Sequence, residues 1–252
     1  MIDDPVFYWL AVPAVTLAGI SKGGFGGGLA FAGLLLITTV VPPVQAAAIM
    51  LPLLCLMDLV GAWVYRRSWD RPNMVVLVPG ALVGIALGTA TFSLLDQVTL
   101  QFIVAALAVA FPLQHWLSGD RGMVTQPQSR PMGYFWGGVA GLTSFVIHMG
   151  GPATNIYLLP QRLPKTTLVA TIVAFYAIVN YAKILPYAWL GLLSDENLTT
   201  AAVLAPLAVG GTVLGTRLQG WLSQAWVYRI SYAMMFATGL KLGHDAITAA
   251  AS

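Results

Sequence analysis

The sequence predicts an all-α integral membrane protein with two inverted repeats, each built from one re-entrant helical hairpin and three transmembrane helices. Three observations lead to this fold class. Hydrophobic residues make up 58% of the 252 residues and charged residues only 8%, which is too little polar surface to cover a water-soluble globule. Long apolar runs recur along the chain. Glycine-rich breaks interrupt two shorter apolar segments. We therefore treat residues 1–252 as a single membrane domain.

Six apolar runs are long enough to cross the hydrocarbon core, which takes about 20 helical residues. They are residues 44–65, 74–95, 98–117, 166–193, 197–222 and 225–242. Four further apolar segments are shorter, at residues 6–19, 29–41, 133–147 and 153–160. A helix of the longest would reach only about 22 Å, against a core of about 30 Å. These half-length arms predict two hairpins that enter and leave the membrane on one side.

The two halves of the chain resemble each other. Six residues of the first half recur in the second half at a constant offset of 127 positions. They are Pro79, Gly84, Gly88, Thr89, Leu95 and Gln97, which match Pro206, Gly211, Gly215, Thr216, Leu222 and Gln224. We interpret this match as an internal duplication. The first repeat covers residues 6–117, a cytoplasmic linker covers 118–132, and the second repeat covers 133–242.

Basic loop residues orient this arrangement in the membrane. With two re-entrant hairpins, seven basic loop residues share one face: Arg66, Arg67, Arg71, Arg121, Arg130, Arg162 and Lys165. The loops of the opposite face then contain no Lys or Arg, so the basic face is cytoplasmic and both termini lie outside. Such a multi-pass protein fits a bacterial-type inner membrane. The alternative is eight crossings with parallel repeats, for which the same count is five against two.

The two glycine-rich breaks, residues 21–28 and 148–152, predict a binding site near the bilayer midplane. Non-helical backbone persists in lipid only where protein or a wet cavity satisfies its polar groups. After each break a helix begins, near Leu29 and near Ala153, and its free N–H groups and dipole would attract an anion. The residues that we expect to line this anion site are Gly23, Gly24, Gly26, Gly27, Gly28, Gly150, Gly151, Thr154 and Asn155. The alternative is that Thr154 and Asn155 only cap their helix.

Ionisable residues within apolar segments are costly, so each is a functional candidate. Lys22 lies in the first break, where a bound anion would be its partner; the alternatives are snorkelling to the interface or a permanent pair with Asp58. Asp58, His148, Asn180 and Lys183 are candidates for proton coupling or gating. For Asp58 a structural ion pair explains the sequence equally well, and Lys183 has the alternative of snorkelling outward. For His148 the alternative is a hydrogen-bonded structural role at the helix break.

The sequence argues against other classes of protein. The single cysteine, Cys55, lies in an apolar run, and the three histidines show no metal-ligand spacing, so we expect no metal and no cofactor. The net charge of +3 fits basic membrane loops better than nucleic-acid binding. No nucleophile and base sit at an obvious catalytic turn, so an intramembrane enzyme is disfavoured.

Three segments of the chain resemble the TauE/SafE sulfite exporter family. They are Gly19-Ile20-Ser21-Lys22-Gly23-Gly24-Phe25-Gly26-Gly27-Gly28, Gly150-Gly151-Pro152 and Leu163-Pro164-Lys165. The resemblance implies secondary transport of small sulfur-containing anions, such as sulfite or organosulfonates. It also implies that residues 22–28 and 150–152 line the substrate site. His148 and Met149 stand where we expect smaller residues in this family.

An inside-negative membrane favours the exit of anions by about 2.3 kcal/mol per charge per 100 mV. We therefore expect export, with proton coupling through Asp58 as a further hypothesis. The alternatives are an anion channel or an uptake carrier for another small organic anion. The expected partners are a small anionic substrate and the lipid bilayer. The sequence leaves open whether the protein is a monomer or a homodimer.

Overall fold

The computed structural model describes residues 1–2, 4–25, 36–38, 40–92, 97–122 and 127–251. These residues form helices and short connections without a strand, which confirms the all-α prediction. The helices are α1 Pro5–Phe25, α2 Pro43–Tyr65, α3 Arg71–Ala90, α4 Gln97–Gly122, α5 Arg130–Ile147, α6 Gly151–Leu158, the 3-10 turn Leu159–Gln161, α7 Lys165–Trp189, α8 Asp195–Trp221 and α9 Gln224–Ala251.

Several helix ends have clear local causes. The Asp70 side chain accepts a hydrogen bond from the Asn73 amide at 3.0 Å and caps α3. Ser194 does the same for α8 through the Asn197 amide at 3.3 Å. The apolar run at 166–193 outlasts its helix, since α7 ends at Trp189 and Gly191 adopts a φ of +71°. Such left-handed backbone ends helices and favours glycine.

Within the described residues, five helices are long and apolar enough to cross a membrane: α1, α2 from Val44, α3, α7 and α8. Four of them match predicted spans. The predicted span at 98–117 lies in α4, whose apolar part, Gln101–Leu117, is shorter than the other five. The predicted span at 225–242 lies in α9, which is not among the five and carries Arg229 and Lys241.

Helix α1 corrects the predicted position of the first break. We expected the helix to stop near Gly19, but it continues through Ser21, Lys22, Gly23 and Gly24 to Phe25. Its 21 residues reach about 32 Å, so the length argument for a half-length first arm was wrong. The rest of the predicted break, Gly26–Gly28, and the arm beginning at Leu29 fall in residues 26–35, outside the described residues.

Close helix packing explains why α1 passes through these glycines. A Cβ atom on Gly19 would lie 2.8 Å from the Ala208 carbonyl oxygen, and one on Gly24 would lie 2.9 Å from that of Gly215. Glycine lets the backbones of α1 and α8 approach this closely, as small residues do in other membrane helices. The tertiary contact outweighs the low helix propensity of glycine.

Substituting Gly23 with alanine tests this packing. The new Cβ would overlap the Thr212 carbonyl oxygen, a backbone atom that cannot move aside easily. We expect Gly23→Ala to destabilise the protein by about 1–3 kcal/mol. Gly210→Ala on α8 is the matched control, because nothing lies within 4 Å of its Cβ position and alanine favours helix there. Equal melting temperatures in detergent for the two variants would contradict the close packing of α1 on α8.

The chain divides into two compact units, and the first comprises Met1–Trp69 and Val169–Leu222. Its helices α1, α2 and α8 all start at the same end. The Ile2 amide donates to Thr200 Oγ1 at 3.0 Å, and Gln45 Nε2 donates to Asn197 Oδ1 at 3.4 Å. Near the opposite ends of α1 and α2, the Tyr65 hydroxyl donates to the Gly23 carbonyl at 2.8 Å. Within this unit, the chain therefore leaves with α1 and is back at the same end when α2 begins.

The second unit comprises Asp70–Leu168 and Ser223–Ser252. Helices α3 and α5 run parallel, with the Gly84 backbone against Gly138 and Gly88 beside the Phe145 ring. The chain leaves the end of the unit at which α5 begins and is back at that end after α6. Tyr157 near the end of α6 donates its hydroxyl to the carbonyl of Ser129, just before α5, at 3.2 Å.

Two further contacts complete this unit. Asn73 Nδ2, at the start of α3, donates to Gln161 Oε1 at 2.8 Å, so the end of the 3-10 turn that follows α6 also lies at the start of α3. Helices α4 and α9 pack antiparallel, with the His115 ring stacked on the Tyr232 ring at 4.0 Å between centroids. Gly239 of α9 approaches Val109 of α4 further along the pair.

Candidate functional site

Four polar side chains meet in the interior of the first unit, and we call them the polar cluster: Lys22, Asp58, Asn180 and Lys183. Helix α1 supplies Lys22, α2 supplies Asp58, and α7 supplies the other two one turn apart on one face. All four are buried; Asp58 and Lys183 have no exposed surface, and Asn180 and Lys22 keep 2% and 5%. Sequence analysis named each of these residues, and the structure brings them together.

The Asp58 carboxylate is the centre of the polar cluster. Lys22 Nζ lies 3.0 Å from Asp58 Oδ1, and Asn180 Nδ2 donates to Asp58 Oδ2 at 2.7 Å. Lys183 lies within electrostatic reach of both Asp58 and Lys22. The ion pair that was one of the alternatives for Lys22 and Asp58 is therefore present. A buried pair of this kind is costly to desolvate and depends on such added hydrogen bonds.

The polar cluster holds unequal numbers of charges. Among the described residues it combines two lysines with one carboxylate, so its formal charge is +1 when all three groups are ionised. In a low-dielectric interior each ionised group depends strongly on the charges and hydrogen-bond donors around it. Ammonium groups donate hydrogen bonds to anionic oxygens, so two of them in one cluster suit a small anion.

Two tyrosines near the polar cluster were not singled out from the sequence. Tyr181, next to Asn180 on α7, donates its hydroxyl to the Cys55 carbonyl at 3.4 Å, three residues before Asp58. Tyr65 bonds the Gly23 carbonyl, one residue after Lys22. Both bonds join neighbouring helices beside a cluster residue. Tyrosines in apolar runs are too common for the sequence to identify them.

The second predicted break is present in the second unit, and we call residues His148–Pro152 the glycine turn. Helix α5 ends at Ile147, and His148 adopts a left-handed φ of 53°. The amides of His148 and Met149 bond the carbonyls of Ser144 and Thr143, both at 3.1 Å. This helix-ending pattern satisfies the last carbonyls of α5. Helix α6 then begins at Gly151.

The glycine turn offers unused donors at the start of α6. Among the described residues, the amides of Gly150, Gly151 and Ala153 have no hydrogen-bond acceptor. A Cβ atom on Gly151 would meet nothing within 4 Å, so there is open space beside the turn. The side chain of Asn155, in the second turn of α6, is only 7% exposed. Free amides beside open space suit an anion.

The remaining predicted site residues have other surroundings. Thr154 donates its hydroxyl to the Gly150 carbonyl at 3.1 Å. Gly23 and Gly24 lie inside α1 and pack against α8. Gly26, Gly27 and Gly28 lie outside the described residues. No three His, Cys, Asp or Glu side chains within the described ranges are grouped to hold a metal ion.

Comparison of the sequence with known proteins identifies the family to which the chain belongs. The family model for the sulfite exporter TauE/SafE matches residues 11–242, which include the polar cluster and the glycine turn. No curated protein and no solved structure matches the chain. The family model spans nearly the whole sequence and confirms the resemblance found in the glycine segments. The protein is thus a multi-pass membrane protein that belongs to the sulfite exporter TauE/SafE family.

Proposed function

We propose that this protein is a secondary transporter that exports sulfite or an organosulfonate across the inner membrane. The observation that carries the proposal is the polar cluster, in which Lys22 pairs with Asp58 and a second buried lysine, Lys183, lies within electrostatic reach of both. A sulfonate or hydrogen sulfite carries one negative charge on several oxygens, so it would balance the formal +1 charge and accept bonds from both ammonium groups.

The polar cluster would act as a carrier site if Lys22 bound Asp58 and the substrate in turn. Without substrate, Lys22 is held by Asp58 at 3.0 Å; a bound anion would compete with the carboxylate for the same ammonium. Protonation of Asp58 would remove that competitor and favour anion binding. Asp58, Asn180 and Lys183 are therefore our proposed residues for coupling or gating. In the second unit, His148 and the free amides of the glycine turn are proposed to contribute a further anion-binding surface.

The packing within each unit supports two re-entrant hairpins rather than eight crossings. In the second unit, the end of α6 lies beside the start of α5 through Tyr157 and Ser129. In the first unit, Ile2 and Gln45 both bond the first turns of α8. A single crossing would separate the two ends of each segment by the membrane thickness of about 30 Å.

The tight glycine contacts support the internal duplication. In the first unit α1 packs on α8, and in the second unit α5 packs on α3. Helices α8 and α3 are the pair related by the offset of 127 residues, through Gly211 and Gly84. In both contacts, the first helix of one half of the chain packs against the equivalent later helix of the other half. A duplicated chain whose two halves exchange helices would show this pattern.

Cysteine labelling from either side of the membrane tests the hairpin topology. In a Cys55→Ala background, we expect Pro127→Cys and Pro164→Cys to react from the cytoplasmic side, because both flank the second hairpin. Glu196→Cys, in the first turn of α8, should react only from outside. Eight crossings predict instead that positions 127 and 196 react from one side and position 164 from the other.

Flux in proteoliposomes tests the proposed function. Vesicles loaded with sulfite should accumulate labelled sulfite or a sulfonate by saturable counterflow, which a carrier shows and a channel does not. Carboxylates should compete weakly. Flux without saturation would favour the channel, selective counterflow of carboxylates would favour a carrier for another organic anion, and chemical conversion of sulfite without a membrane would indicate an enzyme.

A further inference from the structure

The second unit contains a basic groove that the transport cycle does not use. Its volume is about 630 Å³, and its walls come from the second half of α4, the turn after α6 and the first two turns of α9. The residues that define it are His115, Trp116, Arg162, Tyr228, Arg229 and Tyr232.

Two guanidinium groups give this groove its charge. Arg162 and Arg229 are distant in sequence but line the same cavity, and among the described side chains none that lines it is acidic. Arg162 also adopts a left-handed φ of 51°, one of two such non-glycine residues in the described part of the chain. Glycine would be the relaxed choice there. Guanidinium groups bind phosphate oxygens through paired hydrogen bonds.

The tyrosines hold the groove together. The Tyr228 hydroxyl donates to the Leu163 carbonyl at 2.8 Å, which ties the start of α9 to the turn that carries Arg162. Tyr232 is buried beneath the stacked His115 ring. The two arginines therefore stand on elements fixed to each other, so the groove is built before a ligand arrives.

The rim of the groove is apolar and open. Trp116, which lines the groove, is 46% exposed, and Trp226, one turn before Arg229, is 54% exposed. The Arg229 guanidinium lies 5.7 Å from the centre of the Trp226 ring. Tryptophan and arginine at helix ends are typical of the headgroup level of a bilayer, where the apolar side chains beside them contact acyl chains.

We propose that this groove binds the phosphate of an anionic phospholipid headgroup, with Arg162 and Arg229 as its two ligands. The apolar rim favours a lipid over a free anion, because free phosphate would gain nothing from Trp116 and Trp226. Basic grooves between helices at the cytoplasmic face commonly hold anionic lipid headgroups. Transport chemistry plays no part in this inference, so it stands or falls separately from the proposed function.

Lipid titration of the purified full chain tests the groove. Native mass spectrometry in detergent would compare the affinity of the protein for phosphatidylglycerol with its affinity for phosphatidylcholine of the same acyl chains. Inorganic phosphate and glycerol 3-phosphate, which have no acyl chains, would be tested as competitors. We expect phosphatidylglycerol to bind and phosphatidylcholine to bind much more weakly. Each arginine should contribute about fivefold, so Arg162→Gln/Arg229→Gln should weaken phosphatidylglycerol binding by about 25-fold.

Two further variants serve as controls for the loss of charge and for changes in the fold. Arg217→Gln removes an exposed arginine near the end of α8 that does not line the groove, and it should leave binding unchanged. Arg162→Gly suits the left-handed backbone, so any loss of lipid in that variant reflects the side chain rather than the fold. Equal binding of both lipids, unchanged binding in the double variant, or equal competition by inorganic phosphate would each overturn the proposal.

Discussion

Replacement of Asp58 by asparagine is expected to destabilise the protein by about 3–5 kcal/mol, because it strands buried cations without their counter-charge. Lys22 would then lose the carboxylate oxygen that lies 3.0 Å from its Nζ atom. Thermal unfolding in detergent would measure the loss. Added sulfite should restore part of it, since an anion that binds the folded state stabilises it by mass action.

The chain offers a matched control for this substitution. Lys241 and Asp245 form an ion pair on the surface of α9, where the lysine side chain is 54% exposed. Asp245→Asn should therefore cost no more than about 1 kcal/mol. The double variant Lys22→Gln/Asp58→Asn should recover much of the stability that Asp58→Asn loses. An Asp58→Asn protein as stable as Asp245→Asn would show that the buried charges do not depend on Asp58.

Replacement of Lys183 by methionine is expected to abolish anion binding while preserving the fold. Methionine fills a similar volume, and the remaining Lys22–Asp58 pair is neutral overall, so no buried charge is left without a partner. Loss of a buried charged contact typically costs 2–5 kcal/mol in binding, so sulfite affinity should fall at least about 30-fold. The sulfite-dependent rise in melting temperature should disappear with it.

Lys241→Met is the control for this second variant, because it removes an exposed lysine of the same length. It should retain sulfite binding and counterflow. The two cluster variants should behave in opposite ways. Asp58→Asn should lose stability and regain part of it when sulfite is added, whereas Lys183→Met should keep its stability and show no change in melting temperature with sulfite. A Lys183→Met protein with normal sulfite affinity would remove Lys183 from the site.

Much of the fold was readable from the sequence because lipid imposes a simple rule. An apolar run of sufficient length must be helical, and helices lie at each of the six predicted spans. Residues 148–152 were recognised as a break because glycine and proline meet there within an apolar segment. The first break was misplaced because glycine has two uses in membrane helices, and Gly23 serves close packing against Thr212.

The site was predictable as a set of residues but not as an arrangement. Lys22, Asp58 and Lys183 stand out because ionisable groups are costly in apolar runs. Their partners follow from helix pairing: Asp58 and Asn180 are 122 residues apart, and no local pattern records that contact. Arg162 and Arg229 illustrate the same limit. Each reads as an ordinary charge at a helix end, and only the folded second unit brings both into one groove.

The most direct test of the account is the position of a bound substrate analogue. Selenite has the shape and charge of sulfite, and selenium scatters anomalously, so a crystal soaked in selenite would locate the anion independently of side-chain density. We predict a selenium peak within hydrogen-bond reach of the Lys22 and Lys183 ammonium groups. Occupancy elsewhere, with the polar cluster holding no anion and Lys22 still bound to Asp58, would contradict the central claim.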